Sequence, residues 1–164
     1  MKNLAEELQL AAAVVPVNLA TGANDGDWVS LKHYNHCSVI VFKGAGSVTE
    51  APTITMEQAT AVAGTNAKAL TFTRIDKKQS QDLFTSGQFT KVTQTAAATF
   101  TETSLGTDAA IIVIDFNAED LDVEGGFDCL RARIADVGTT AQVGAVLYLL
   151  SGSRYGPPQS AIVD

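Results

Sequence analysis

The chain is poor in nearly every residue type that marks a covalent staple, a membrane span or a reactive centre. Its 164 residues include only two cysteines, four prolines, two histidines and one tryptophan. Cys37 and Cys129 are far apart and share no metal-type spacing, which excludes a disulfide-framed miniprotein and a zinc ribbon. Two buried thiols are the expectation, and a disulfide would require the strands that carry them to be neighbours. No apolar run approaches the roughly 20 residues of a membrane-crossing helix, since the stretch from Ala11 to Val15 stops at Pro16. Basic residues are outnumbered, 11 against 18 acidic, for a net charge of -7. A surface that tracks nucleic-acid phosphates is therefore excluded, and no membrane partner is implied. Met1-Lys2 followed by Glu6-Glu7 lacks the apolar core of a secretory signal, so folding in a reducing cytosol is expected.

What is present is apolar and strand-forming. Apolar residues make up 46% of the chain and charged ones 18%, which rules out disorder. A chain of this length buries roughly 70% of its unfolded surface and supports one domain without staples. Asn3 to Val15 reads as a helix, capped by Asn3 with Glu6 three residues on, carrying Leu4, Leu8 and Ala11-Ala12 at helical spacing and ended by Pro16. Beyond it, strands are expected at Val17–Ala20, Asp27–Leu31, Ser38–Lys43, Thr53–Thr60, Leu70–Asp76, Gln88–Thr93, Thr99–Thr103, Ala110–Phe116, Cys129–Ala135 and Ala145–Leu150. Gly, Asn and Asp turns separate them, as at Gly22-Ala-Asn24-Asp25-Gly26 and Gly125-Gly126. Short strands without helices between them predict an all-β protein, an antiparallel β-sandwich or jelly roll with a short N-terminal helix. The expected organisation is a helical arm over 1–15, a sandwich over 16–152 and an extended tail over 153–164. Removing residues 1–15 should then leave a folded β domain.

Alternation assigns the faces. Thr99, Thr101 and Thr103 share one side with Phe100 on the other, and Leu130 and Ile134 oppose Arg131 and Arg133. Ile111 to Ile114 and Val146 to Leu150 are apolar on both sides, so both of their faces call for a cover: the core on one, the N-terminal helix or a second copy on the other.

Reactive constellations are weak. His33-x-x-His36-Cys37 has histidines three apart, which diverge on a strand, and further zinc ligands are not close in sequence. Asp115 to Gly126 begins like a calcium loop, but Asp120 stands where the bending glycine belongs and Gly126 where the bidentate glutamate belongs. It reads as an exposed acidic connection. There is no Gly-x-Ser-x-Gly, and Gly44-Ala-Gly46 lies between strands rather than before a helix. Trp28 follows a turn and reads as a core or seam residue. The expectation is a non-enzymatic chain with no catalytic residues, metal or cofactor.

Two sets of strings carry a resemblance. Asn3-Leu-Ala-Glu-Glu-Leu with Val17 to Val29, and Leu121 to Arg131 with Ala135 to Gly144 and Leu147 to Tyr155, resemble small virion proteins of tailed bacteriophages. The resemblance implies a capsid decoration or cement protein, located in the virion and assembled in the bacterial host cytoplasm. It implies as partners the major capsid protein lattice and a second or third copy of the chain. It equally admits a tail or head–tail connector component. A calcium- or carbohydrate-binding β-sandwich module, or a hydrolase whose paired carboxylates are distant along the chain, is the alternative from outside that group. Leu4, Leu8, Arg154 and Tyr155 are the candidate interface residues, Tyr and Arg being the types that carry energy at packed contacts. Pro157-Pro158 would keep the tail extended as a strap.

Overall fold

Strand alternation organises the chain into two antiparallel sheets in the computed structural model, which describes residues 3–85, 87–156 and 160–162. The larger sheet runs, edge to edge, β1 (Gln9–Asn18), β12 (Val143–Ser153), β4 (Tyr34–Lys43), β10 (Ala109–Asn117), β7 (Phe72–Ser80) and β8 (Thr90–Ala97). In the smaller sheet, β2 (Asn24–Asp25) and β3 (Val29–Ser30) pair with β11 (Cys129–Ile134), which pairs with β5 (Thr53–Ala59). The far side of β5 takes two short strands, β6 (Lys68–Ala69) and β9 (Thr99–Thr101). A helix, α1 (Leu4–Glu7), precedes them.

The connectivity distinguishes a jelly roll from a plain sandwich. β2 and β3 act as one strand interrupted at Gly26, and β6 and β9 share one edge of β5. The chain then visits eight positions, alternating between sheets so that first, last, third and sixth are neighbours in one sheet and second, seventh, fourth and fifth in the other. That order is the double Greek key of a jelly roll. The β7–β8 hairpin is inserted between β6 and β9 and widens one sheet to six strands.

The core lies between the sheets, with Val39, Val41, Ile112, Ile114, Val146 and Leu150 on one side and Ile54, Met56, Leu130 and Ile134 on the other. Three polar ties brace the core, one of them between the sheets. The buried Tyr148 hydroxyl donates to the Asp27 carbonyl at 2.9 Å and accepts from the Ala132 amide at 2.8 Å, linking β12 to β11. Burial pushes the Tyr148 phenol well above its ordinary range. Gly26 donates to the Ala132 carbonyl at 3.0 Å, an approach that any side chain there would block. Lys43 Nζ, buried at the end of β4, donates to the carbonyls of Leu105 and Asp108, both at 2.6 Å. Burial pushes its pKa down to about 8 against the pull of Asp108. Cys37 and Cys129 are buried on opposite sheets and form no disulfide. Between β4 and β5, the Glu50 carboxylate accepts from the amides of Thr139 and Thr140 at 2.7 and 2.8 Å and from the Thr139 hydroxyl at 2.9 Å.

Two expectations are corrected. The helix expected over 3–15 is confined to Leu4–Glu7, and Gln9–Asn18 is the edge strand β1. Register shifts at Ala12/Val14 and Val14/Val17 bulge this strand and turn the successive residues Ala13 and Val14 inward, which imitates a helical period. Pro16 fits because an edge strand has one side whose amides serve no neighbour. Nor is the 153–164 segment a free tail: Ala161 is buried in the core and its carbonyl accepts from the Ser30 amide at 2.7 Å. The strap expected at Pro157-Pro158 lies outside the described residues.

Truncation separates these readings. Removing residues 1–8 should barely move the urea midpoint. Removing 1–15 strips Ala11, Ala13 and Val14 from the core and bares most of one edge of β12. That should cost on the order of 5 kcal/mol, enough to unfold a domain of ordinary stability. A second prediction concerns acid. The Thr139 amide, first among its donors, holds the Glu50 carboxyl down to about 2 from the usual 4.5. A depressed carboxyl stabilises the fold above its unfolded pKa and loses that contribution as pH falls toward its folded value. The melting temperature of Glu50→Gln should therefore lie below that of the native chain at pH 7, with the gap closing between about pH 4.5 and 2. An unchanged gap at pH 2 would contradict the role assigned to Glu50.

Candidate functional site

The two outer faces differ in chemistry. The smaller sheet presents an ion-pair ladder: Arg131 Nε lies 2.6 Å from Glu57 Oε2, Arg133 Nη1 3.3 Å from Glu57 Oε1, and Arg133 Nε 2.6 Å from Asp25 Oδ1. Arg131 also stacks over the Trp28 ring at 4.7 Å. Thr53 and Thr101 share a hydroxyl hydrogen bond of 2.7 Å beside this ladder. Such a face is solvated, and its threonines fit the pleat without making it adhesive.

The larger sheet is the reverse. Its strand register aligns outward residues in rows: Ala145, Phe42 and Ile111 in one, Ala12, Leu147, Ile40 and Val113 in the next, Leu10 and Leu149 in a third. Phe42 is 54% exposed, Leu10 50% and Leu147 41%. The others are half-buried by one another, apart from exposed Ala12. The sector is thus continuous across β1, β12, β4 and β10. It ends at β7, whose outward Arg74, Asp76 and Lys78 are charged, with Lys91 of β8 opposite Asp76. Helix α1 does not cover it, since all of its residues are exposed at the sheet's end.

The candidate interface residues gather where β1 begins and β12 finishes. Leu4 is exposed on α1, and the half-buried Leu8 caps that helix, its amide donating to the Leu4 carbonyl at 2.9 Å. Arg154 follows β12; its amide donates to the His33 carbonyl at 2.9 Å and its Nε to Asn35 Oδ1 at 2.8 Å. The exposed Tyr155 ring meets His33 edge-on at 5.5 Å. Arg154 also borders a depression of about 260 Å³ floored by Leu31, Val123 and Phe127. The larger apolar sector was only partly read from sequence. Two-sided apolarity flagged β10 and β12, while Leu10 and Ala12 were hidden by the helical reading of β1.

Polar chemistry is dispersed. His33 precedes β4, His36 faces outward and Cys37 inward, so the three diverge. Burial, with Asp115 adding to it, raises the Cys37 thiol far above its ordinary range. One row of Ser, His and Asp does form on the sheet face, which sequence spacing could not show. Ser151 Oγ lies 3.3 Å from His36 Nδ1, and His36 Nε2 3.4 Å from Asp115 Oδ1, which also accepts from Ser38 at 2.5 Å. His36 is flanked on both sides by paired strands, so the backbone donors around it serve the ladder rather than a developing oxyanion. The row completes the polar margin of the apolar sector. Along the acidic connection, Asp122 pairs with Lys68 and accepts from the Gly125 amide, contacts that hold its carboxyl below the usual range. Among the described residues, no three His, Cys, Asp or Glu side chains converge as a metal cage.

Fold and face together define the class: an all-β jelly roll with one charged and one apolar outer surface. No family model matches the chain and no curated protein does. Among solved structures, that of a family two carbohydrate esterase from Cellvibrio japonicus aligns with 93% of this chain and 36% of that one, at 11% identity and a TM-score of 0.20. The chain therefore spans about a third of that structure's length, and a likeness this slight carries no functional argument.

The exposed sector predicts a chromatographic signature. Phe42→Thr and Leu147→Thr should elute earlier from a phenyl column than the native chain, with unfolding free energies within about 1 kcal/mol of it. The same change at buried Val146 should cost more than 1 kcal/mol.

Proposed function

We propose that this chain is a non-enzymatic structural protein of a tailed-phage virion, a decoration or cement protein that binds the outside of the capsid lattice and stabilises it. The observation that carries the reading is the continuous apolar sector of Leu10, Ile40, Phe42, Ile111, Val113, Leu147 and Leu149 on an open sheet face. A face of that kind works by fit, and its removal from water supplies the binding energy.

Three further features support it. The net charge of -7 keeps free copies dispersed before assembly. Leu4, Leu8, Arg154 and Tyr155 offer a second contact region at the end of the same sheet, with an Arg and a Tyr held in place by His33 and Asn35. The sequence strings that resemble small phage virion proteins also agree with it. A protein repeated over a shell needs only modest affinity per contact, because engagement of two surfaces multiplies the hold.

The test is imaging of purified particles with and without the protein. Regular added density on the outer shell, and greater resistance of those particles to heat, are expected. Density confined to the tail or its junction would move the protein to a tail or connector role. No association with particles, together with a saturable heat of binding to calcium or a glycan, would overturn the reading in favour of a ligand-binding module.

A further inference from the structure

The apolar sector raises the question of what covers it, and the composition of the whole face identifies the occupant. We infer that the outer face of the six-stranded sheet is a self-association surface, on which a second copy of this chain packs sheet against sheet about a two-fold axis. The inference rests on the reading that this face docks and makes a second copy its occupant, which leaves the Leu4, Leu8, Arg154 and Tyr155 region to meet the shell.

Charge is the first argument. A chain of net charge -7 repels its own copies over most of its surface. On the outward positions of the large sheet the balance is reversed, with Arg74, Lys78 and Lys91 against Asp76 and Asp115. Identical molecules therefore approach with least repulsion through this face. Both signs are present along its margin, as a surface that must complement itself requires.

Shape and composition give the second. The sector has the make-up of the inner face of a β-sandwich, with Leu, Ile, Val and Phe alternating against the small Ala12 and Ala145 on an open sheet. Such faces pack on one another about 10 Å apart with interdigitating side chains. The smaller sheet, covered by its Arg131–Glu57–Arg133–Asp25 ladder, offers no equivalent.

Area sets the strength. Nine outward residues, each taking about 4.8 Å by about 6.8 Å of sheet, cover on the order of 300 Å² per copy. With the flanking polar rows the pair buries about 1,000 Å², near the lower bound of a specific interface, so a weak dimer that dissociates on dilution is expected.

Sedimentation of the full chain over a wide concentration range tests this. A reversible monomer–dimer equilibrium is expected, weakened at least about tenfold by Leu147→Lys and by Phe42→Lys. Phe84→Ser, at the tip of the β7–β8 hairpin where Phe84 is 92% exposed, should leave it unchanged. Circular dichroism and melting confirm that each variant is folded, and two lysine positions keep the test valid if one fails. A native chain that stays monomeric to millimolar concentration would overturn the inference. So would a trimer, which needs two different patches, or a dimer indifferent to both lysines. Particle binding of the monomeric variants is scored separately. A native dimer that ignores particles defeats the virion reading alone, and a native monomer that still decorates them defeats only self-association.

Discussion

Because successive side chains on a strand point to opposite sides of its sheet, a strand that is aliphatic throughout can bury only half of itself against one core. Residues 111–114 of β10 and, apart from Tyr148, residues 146–150 of β12 are such stretches, and β4 between them adds Ile40 and Phe42 to the outward half. Everything distinctive about the surface follows from that constraint. The inward half forms the jelly-roll core, and the outward half leaves an apolar sector on the open face of the sheet. On the smaller sheet the same geometry has another outcome, since the outward positions of β5 and β11 are Thr, Glu and Arg at one end and Ala59 and Cys129, buried under Trp28, at the other.

The strands that carry the outward apolar residues are also held by buried polar ties. Tyr148 sits one residue from Leu147, so the strand that offers the centre of the outer sector also inserts the hydroxyl that binds Asp27 and Ala132 across the core. Lys43 neighbours Phe42 in the same way, anchored inward to the Leu105 and Asp108 carbonyls while Phe42 faces water. Removing one partner of a buried tie costs about 1–3 kcal/mol, so the outward residues stand on a backbone that resists rearrangement.

Much of this was legible in the chain. The ten expected strands all fall on or beside observed ones. Thr99 and Thr101 share a face opposite Phe100, while Thr103 falls in a short helical turn beyond the strand. Leu130 and Ile134 oppose Arg131 and Arg133 as alternation required. What failed was β1, where alanines satisfy either period and two bulges disguise the alternation, so pairing with β12 decided the outcome. The candidate site was half visible for the same reason. Leu4, Leu8, Arg154 and Tyr155 could be picked by residue type, but only the register aligns Leu10 with Leu149 and Ile40 with Leu147. The Ser151–His36–Asp115 row, drawn from three distant strands, had no local signal at all.

The most direct measurement is methyl-resolved solvent accessibility, using a soluble paramagnetic probe, for Ile40, Val113, Leu147 and Leu149. The account predicts that these methyls lose contact with the probe as the chain is concentrated, while exposed Val48 and Val123 keep theirs. Equal accessibility of both groups at every concentration, and again after capsid shells are added, would contradict it.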